Sequence, residues 1–301
     1  MPKLRFALFG NIYQAKKSVS IQKLICLLQE REAEISVDSR FFHYLTDSLR
    51  LSVSPASLIE NDDFRADYVI SMGGDGTFLE AASRVRDKGI PILGINMGHL
   101  GFLADVPADE IPQAIEHIYE GKLAVEPRSV LQLAYDQGEH SVYPFALNEV
   151  AVLKQDNSSM ISIRVDINGE YLATYQADGL IINTPTGSTG YALSVGGPIM
   201  SPEGGMLGLT AVAPHSLNVR PITLPDSVEV GLSVLSRNHH FLVSVDGRSE
   251  TCPEGTRLTL RRAPYDILVA KRPGTSFFRT LRGKLMLGSD LRFDNAPERP
   301  L

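Results

Sequence analysis

The hydrophobic pattern of this 301-residue chain changes period once, near Leu123, and no other feature limits its fold so strongly. Before that point short apolar runs alternate with helical spacing. Residues 4–9, 66–71 and 92–95 are expected strands. Residues 20–31, with Ile21, Leu24, Ile25 and Leu28 on one face, are an expected helix, as are 77–88 and 108–119. Strands alternating with helices predict a parallel sheet with right-handed crossovers. Such sheets place ligands at the carboxyl ends of their strands, where two glycine-bearing turns, 73–77 and 96–101, fall. After Leu123 the alternation has a period of two. Ile161, Ile163, Val165 and Ile167 run into Asn168-Gly169, a hairpin signal, and Val228, Val230, Leu232 and Val234 repeat the pattern. The expected organisation is an α/β domain over residues 1–122, a β-rich domain over 123–278, and a tail, 279–301, packing back on the first domain. Residues 40–61 are polar and serine-rich and are expected as a loop or helix.

Composition narrows the function class. The net charge is −6, against broad nucleic-acid binding, which depends on neutralising phosphates. Residues 1–9 are too short an apolar run for a signal peptide, and no stretch approaches ~18 uninterrupted apolar residues, so no membrane span is expected. The two cysteines, Cys26 and Cys252, are far apart, form no CxxC pair and have no zinc-ligand spacing with histidine. A reducing, cytoplasmic location and no protein-held metal are expected.

The run Gly73-Gly74-Asp75-Gly76-Thr77 joins an apolar strand to a helix start. Its glycines permit positive φ and close approach of a ligand, and a helix N-terminus favours anions. Asp75 is out of place beside phosphate unless it takes a proton or holds a metal. The plainer reading is a tight loop with Asp75 as N-cap. A second block, residues 178–198, carries Thr184-Pro185-Thr186-Gly187-Ser188-Thr189-Gly190-Tyr191, a hydroxyl-rich turn before a short helix. It reads either as a nucleotide-binding turn or as a helix entry capped by Thr186 or Ser188. Asn148-Glu149 interrupts an apolar strand-like run; the pair is either buried with partners or a solvated strand end. The P-loop, GxGxxG and GxSxG templates are absent. His239-His240 sits at an expected hairpin tip and reads as a solvated turn, while His99 and His215 lie in glycine- or proline-flanked loops and read as structural.

Together Gly73–Thr77, Gly94-Ile95-Asn96 with residues 98–103, Asn148-Glu149 and residues 178–201 resemble the NAD kinase family, in order and approximate spacing, over residues 66 to 250. The Gly-Gly-Asp-Gly run alone is shared with diacylglycerol and sphingosine kinases and phosphofructokinase-like proteins; the four blocks together are specific. The resemblance implies a Rossmann-like, phosphofructokinase-like first domain and phosphoryl transfer from ATP, with Mg²⁺ or another divalent cation, to the 2′-hydroxyl of the adenosine ribose of NAD. It makes Asp75 the general base, flanked by Gly74 and Gly76. Glu149 would hold the ribose diol. Asn148, Thr189 and Ser194 would face the adenine, with Phe102 and Tyr191 as walls and Gly190 and Leu193 in the same turn. Asp178 and Ala192 would lie toward the nicotinamide, in part from a neighbouring subunit of a homodimer or homotetramer, and Ala213 near the pocket. Three positions depart from the common pattern. Gln176 stands where many relatives carry Arg or Lys, Ser159 where some carry His, and Arg248 where Gln is common. The first two remove positive charge near the pyrophosphate or nicotinamide, and Arg248 is a candidate to restore some. A lipid or sphingoid kinase and a non-catalytic NAD(P)-binding regulator are the alternatives; the hydroxyl-rich turn argues against the first and the retained Asp75 against the second.

Overall fold

A computed structural model describes residues 3–11, 18–98, 101–155 and 159–287. The chain opens with β1 (Arg5–Gly10), α1 (Ser18–Glu30), β2 (Glu34–Asp38), α2 (Ser39–His43), β3 (Ser57–Ile59), β4 (Tyr68–Gly73), α3 (Asp75–Val85), β5 (Ile92–Asn96), β6 (Val106–Pro107) and α4 (Ile111–Tyr119). There follow β7 (Ala124–Tyr135), β8 (Phe145–Ala146), β9 (Glu149–Lys154), β10 (Ile161–Ile167), β11 (Glu170–Ala177), β12 (Gly179–Asn183) and α5 (Tyr191–Ser194). The last elements are β13 (Met206–Val212), β14 (Ile222–Pro225), β15 (Val230–Leu235), β16 (His240–Val245), β17 (Arg248–Pro253), β18 (Arg257–Lys271) and α6 (Phe277–Leu285). Two compact units result. The first is Met1–Phe78, Leu93–Val125 and Ala270–Leu301; the second is Leu79–Ile92 and Glu126–Val269.

In the first unit the strand order is β5-β4-β1-β2-β3, with β6 on β5. β1 pairs in parallel with both β2 and β4, as the alternating pattern predicts. The chain moves outward from β1 through β2 and β3, then returns to the other side of β1 with β4 and β5. The order therefore reverses between β1 and β4, the place where open α/β sheets bind ligands at the carboxyl ends of their strands. Ile21, Leu24, Ile25 and Leu28 of α1 are all buried in a core with Leu8, Val37 and Ile70, and each such side chain stabilises the unit by about 1.5–3 kcal/mol.

The segment left open in the sequence has structure. Asp38 caps α2, accepting from the Phe41 N–H, a π-turn covers Tyr44–Ser48, and β3 extends the sheet in parallel beside β2. α3 starts at Asp75 rather than residue 77, and it stops at Val85 rather than 88 because Arg86 takes φ of +56°, a left-handed conformation that ends a helix.

The second unit holds two antiparallel sheets, as the period-two alternation requires. One has the order β11-β10-β15-β18, with β7 on β18 and β8 on β7; the other is β14-β13-β12-β9-β16-β17. Their inward residues share one core. The first sheet contributes Ile163, Val230, Leu232, Val234 and Leu258, and the second Val150, Ile182, Leu209 and Phe241. Asn168 and Gly169, with φ of +51° and +83°, close the β10–β11 hairpin as the Asn-Gly signal predicts.

Candidate active site

Asp75 follows the last residues of β4 and stands in the first turn of α3. Its carboxylate does not cap that helix. Oδ2 accepts from the Phe102 N–H at 2.9 Å, and Oδ1 accepts from Leu103 and Ala104 at 3.1 and 3.0 Å. The loop after β5 thus presents three successive N–H groups to one carboxylate, and the Met97 N–H donates to Gly73 O at 3.0 Å beside it. The N-cap reading of Asp75 is overturned by these partners. A carboxylate has about four acceptor directions; Oδ1 uses two and Oδ2 one, so Oδ2 is the oxygen with room for a further donor.

Gly101 makes this approach possible, since a Cβ there would overlap Asp75 Oδ1. The turn glycines act differently from expectation. None of Gly73, Gly74 and Gly76 has positive φ, and a Cβ on Gly74 or Gly76 would meet nothing within 4 Å. What these two leave is bare backbone beside Asp75. Phe102 is half-buried, with its ring 6.5 Å from that of Phe277 on α6.

In the second unit Asn148 and Glu149 sit at the start of β9, held by a carboxylate whose importance the sequence did not reveal. Asp246, at φ of +47° in the β16–β17 turn, accepts from the N–H groups of Leu147, Asn148 and Glu149 at 2.8, 2.9 and 3.1 Å. Its own N–H donates to Glu149 O at 3.1 Å. The pair is no solvated strand end: Asn148 Oδ1 and Glu149 Oε2 are buried without a hydrogen-bond partner among the described residues. Burial first, and the Asp246 charge second, push the Glu149 carboxyl up to about 7, against the Tyr191 backbone N–H, which pulls it down. Burial also raises Asp246, opposed by its three backbone donors and Arg248.

The hydroxyl-rich turn folds over this pair. Thr184, rather than Thr186 or Ser188, caps the entry: its Oγ1 accepts from the Gly187 N–H at 3.1 Å and donates to Leu147 O at 2.6 Å. Ser188 is internal, bonded to Pro185 O and the Met200 N–H. Thr186 Oγ1 is buried without a hydrogen-bond partner among the described residues. At Gly190 a Cβ would lie 2.9 Å from Glu149 Oε2 and 3.3 Å from Asn148 Nδ2, so glycine there brings the turn against both side chains. Thr189 and Ser194 donate to Thr186 O and Tyr191 O, which leaves their lone pairs as acceptors. Tyr191 is exposed, Leu193 half-buried, and Ala192 buried against Ala151 and Ile181.

The remaining expected residues have other company. Asp178 pairs with Lys154 at 2.8 Å, and its N–H donates to Val212 O, next to Ala213 at φ of +44°. Ser159 and Gln176 line an open cavity of about 550 Å³ with Arg237, His239 and Glu254. Arg248 donates to Val245 O and Phe145 O, with its guanidinium 5.5 Å from the centre of the Tyr143 ring, so its donors are engaged locally. His99 lies outside the described residues.

Among the described residues the metal-type side chains that converge are His140, Glu250 and Cys252. Imidazole, carboxylate and thiol form a softer set than the all-oxygen shell that Mg²⁺ prefers. Asp75, with three backbone donors on its two oxygens, is not an open bidentate ligand. The described residues therefore offer Mg²⁺ no cage of their own.

Two sequence models match the chain: the ATP-NAD kinase N-terminal domain over residues 23–123 and the ATP-NAD kinase C-terminal domain over 147–271. An NAD kinase of Bacteroides fragilis is 57% identical over 289 residues, covering 96% of this chain and 100% of that one. An NAD kinase of Porphyromonas gingivalis is 40% identical over 288 residues, covering 96% and 99%. Among solved structures, yeast NADH kinase complexed with NADH superposes with a TM-score of 0.86 at 23% identity, over 97% of this chain and 90% of that one. An NAD kinase from Archaeoglobus fulgidus in complex with ATP gives 0.73 at 23%, over 94% and 99%. At that identity the two structures speak to the fold.

Proposed function

Because this chain belongs to the NAD kinase family, we propose that it transfers the γ-phosphoryl of ATP to the 2′-hydroxyl of the adenosine ribose of NAD, giving NADP and ADP. The observation that carries this reading is the Asp75 carboxylate, fixed by three backbone N–H groups at the point where the strand order reverses, with Oδ2 the less engaged oxygen. Oδ2 takes the proton of the 2′-hydroxyl as its oxygen attacks phosphorus. A carboxylate is a weak base toward an alcohol, so the proton moves late. General-base assistance supplies about 10²–10⁴-fold; positioning and charge neutralisation at the phosphoryl supply the rest.

The acceptor is held by the buried oxygens of Asn148 and Glu149 that lack partners among the described residues. Ionised Glu149 accepts from ribose hydroxyls. Thr189 and Ser194 accept from the adenine amino group, and Tyr191 lies along the base. Asp178, Ala192, Ala213, Ser159 and Gln176 belong to the nicotinamide side. Mg²⁺ would come with ATP as part of the substrate and would offset charge on its phosphates. The exposed Tyr171 and Leu172 on edge strand β11 support assembly as a homodimer or homotetramer, and the two free cysteines support a reducing, cytoplasmic location.

The test is purified protein with ATP, Mg²⁺ and NAD and a coupled NADP readout. Wild type forms NADP. Asp75→Ala binds NAD as wild type does and loses about 10²–10⁴-fold in turnover; unchanged turnover overturns the base assignment. NAD binding without NADP formation by wild type overturns the kinase reading in favour of a regulator.

A further inference from the structure

The donor side of the reaction has no assigned cationic side chain, and the last helix supplies one. α6 is capped by Ser276, whose side chain accepts from the Arg279 N–H, and it anchors through buried Leu281. Its Phe277 ring approaches Phe102. This sets Lys284 Nζ 4.5 Å from the centre of the Phe102 ring and 4.0 Å from Asp75 Oδ2. The separation from Asp75 is too long for a hydrogen bond, so the contact is a loose ion pair, a kind that contributes little to stability.

The neighbouring cations are committed elsewhere. Lys271 donates to Asp105 Oδ2 at 2.8 Å and to Phe102 O at 3.3 Å, and Arg272 pairs with Glu110 and donates to Asp105 O. Lys284 makes no hydrogen bond to another described residue, and about a quarter of its side chain is exposed. Its ammonium is held by an aromatic face, which attracts a cation without using its N–H donors. Three donors and a full charge therefore stand beside the one Asp75 oxygen with spare acceptor capacity.

Resting on the kinase reading above, we propose that Lys284 binds the transferring phosphoryl of the donor nucleotide. A phosphoryl group beside a carboxylate base meets like charge, and a compact ammonium at the same oxygen offsets it as charge spreads over the phosphoryl oxygens. Asp75 would take the proton and Lys284 would hold the group being moved, both on the first unit. α6 then has a chemical role besides its packing.

The experiment compares full-length wild type with Lys284→Met, which keeps an apolar stem against Phe102, and Lys284→Arg, which keeps the charge. Binding of the Mg²⁺ complexes of AMP-PNP and ADP, and of NAD, is measured by calorimetry, alongside kcat and KM. Lys284→Met is expected to weaken AMP-PNP about tenfold or more, to leave ADP and NAD within about twofold, and to lower kcat; Lys284→Arg recovers a part. Equal affinity of Lys284→Met and wild type for AMP-PNP overturns the proposal. So does parallel weakening of AMP-PNP, ADP and NAD, the mark of lost packing. The AMP-PNP against ADP difference is read without turnover, so it stands apart from NADP formation, whose absence in wild type would count against the kinase reading alone.

Discussion

Two carboxylates in this chain, Asp75 and Asp246, each accept from three successive backbone N–H groups, and the contrast with a third, Glu149, is instructive. At Asp246 those donors oppose the upward push of burial. Glu149 Oε2 is buried without a partner among the described residues, and its carboxyl rises to about 7. In the unfolded chain it returns to the ordinary 4.5. Folding therefore favours the protonated form. Below pH 4.5 the side chain costs nothing, between 4.5 and 7 stability falls as pH rises, and above 7 the loss is complete at up to about 3 kcal/mol. Glu149→Gln removes the ionisation. Without ligand it should melt above wild type at pH 8, with the gap closing toward pH 4.5, in thermal scans across that range. The KM for NAD in wild type should fall as pH rises through about 7, because the ionised form accepts the ribose hydroxyls, and should be higher and flat in Glu149→Gln. A pH-independent gap in melting temperature would contradict this account.

At the scale of elements, the pieces with a strong period were legible and those made by tertiary contact were not. α1 and the β10–β11 hairpin follow from apolar spacing and one Asn-Gly pair. β2 and β3 were missed because Glu34–Asp38 and Ser57–Ile59 are short strands that gain meaning only beside β1. The Gly-Gly-Asp-Gly-Thr turn was visible as a strand-to-helix junction, but Asp75's partners lie 27 to 29 residues away, beyond any local pattern. Asp246, with partners 97 to 99 residues away, carries no local signal for the same reason, and Lys284 falls in the tail, 279–301. Gly101 tests the element as a unit. A methyl there would collide with Asp75 Oδ1, so the loop must retreat and release its N–H groups. Gly101→Ala should lose turnover about tenfold or more, since a displacement of about 1 Å can cost 10²-fold. It should leave NAD binding intact, because Asn148, Glu149 and the Gly190 turn are built on other strands. Loss of NAD affinity equal to the loss of turnover would refute this division, measured by calorimetry beside steady-state kinetics.

At the scale of the molecule, the division of labour has a consequence for how the chain can be cut. The first unit is assembled from three stretches, one of them reached only after nearly all of β18. The second is nearly continuous: every residue of its large core, from Leu131 to Leu260, lies within Glu126–Val269. The other stretch of that unit, Leu79–Ile92, contributes contacts such as Arg86 over the Tyr143 ring at 4.7 Å, worth about 0.5–1 kcal/mol where exposed and ~2 when desolvated. No residue of that stretch belongs to the large core of the unit. A fragment of residues 126–269 should therefore fold alone, with a β-type circular dichroism spectrum and a cooperative melt. It retains Asp246, the Asn148–Glu149 pair and the Gly190 turn, so it should bind NAD, and it lacks Asp75, so it should form no NADP. A fragment that melts without cooperativity would show that Leu79–Ile92 is indispensable to the core. A folded fragment without NAD affinity would show that the acceptor needs groups outside the second unit.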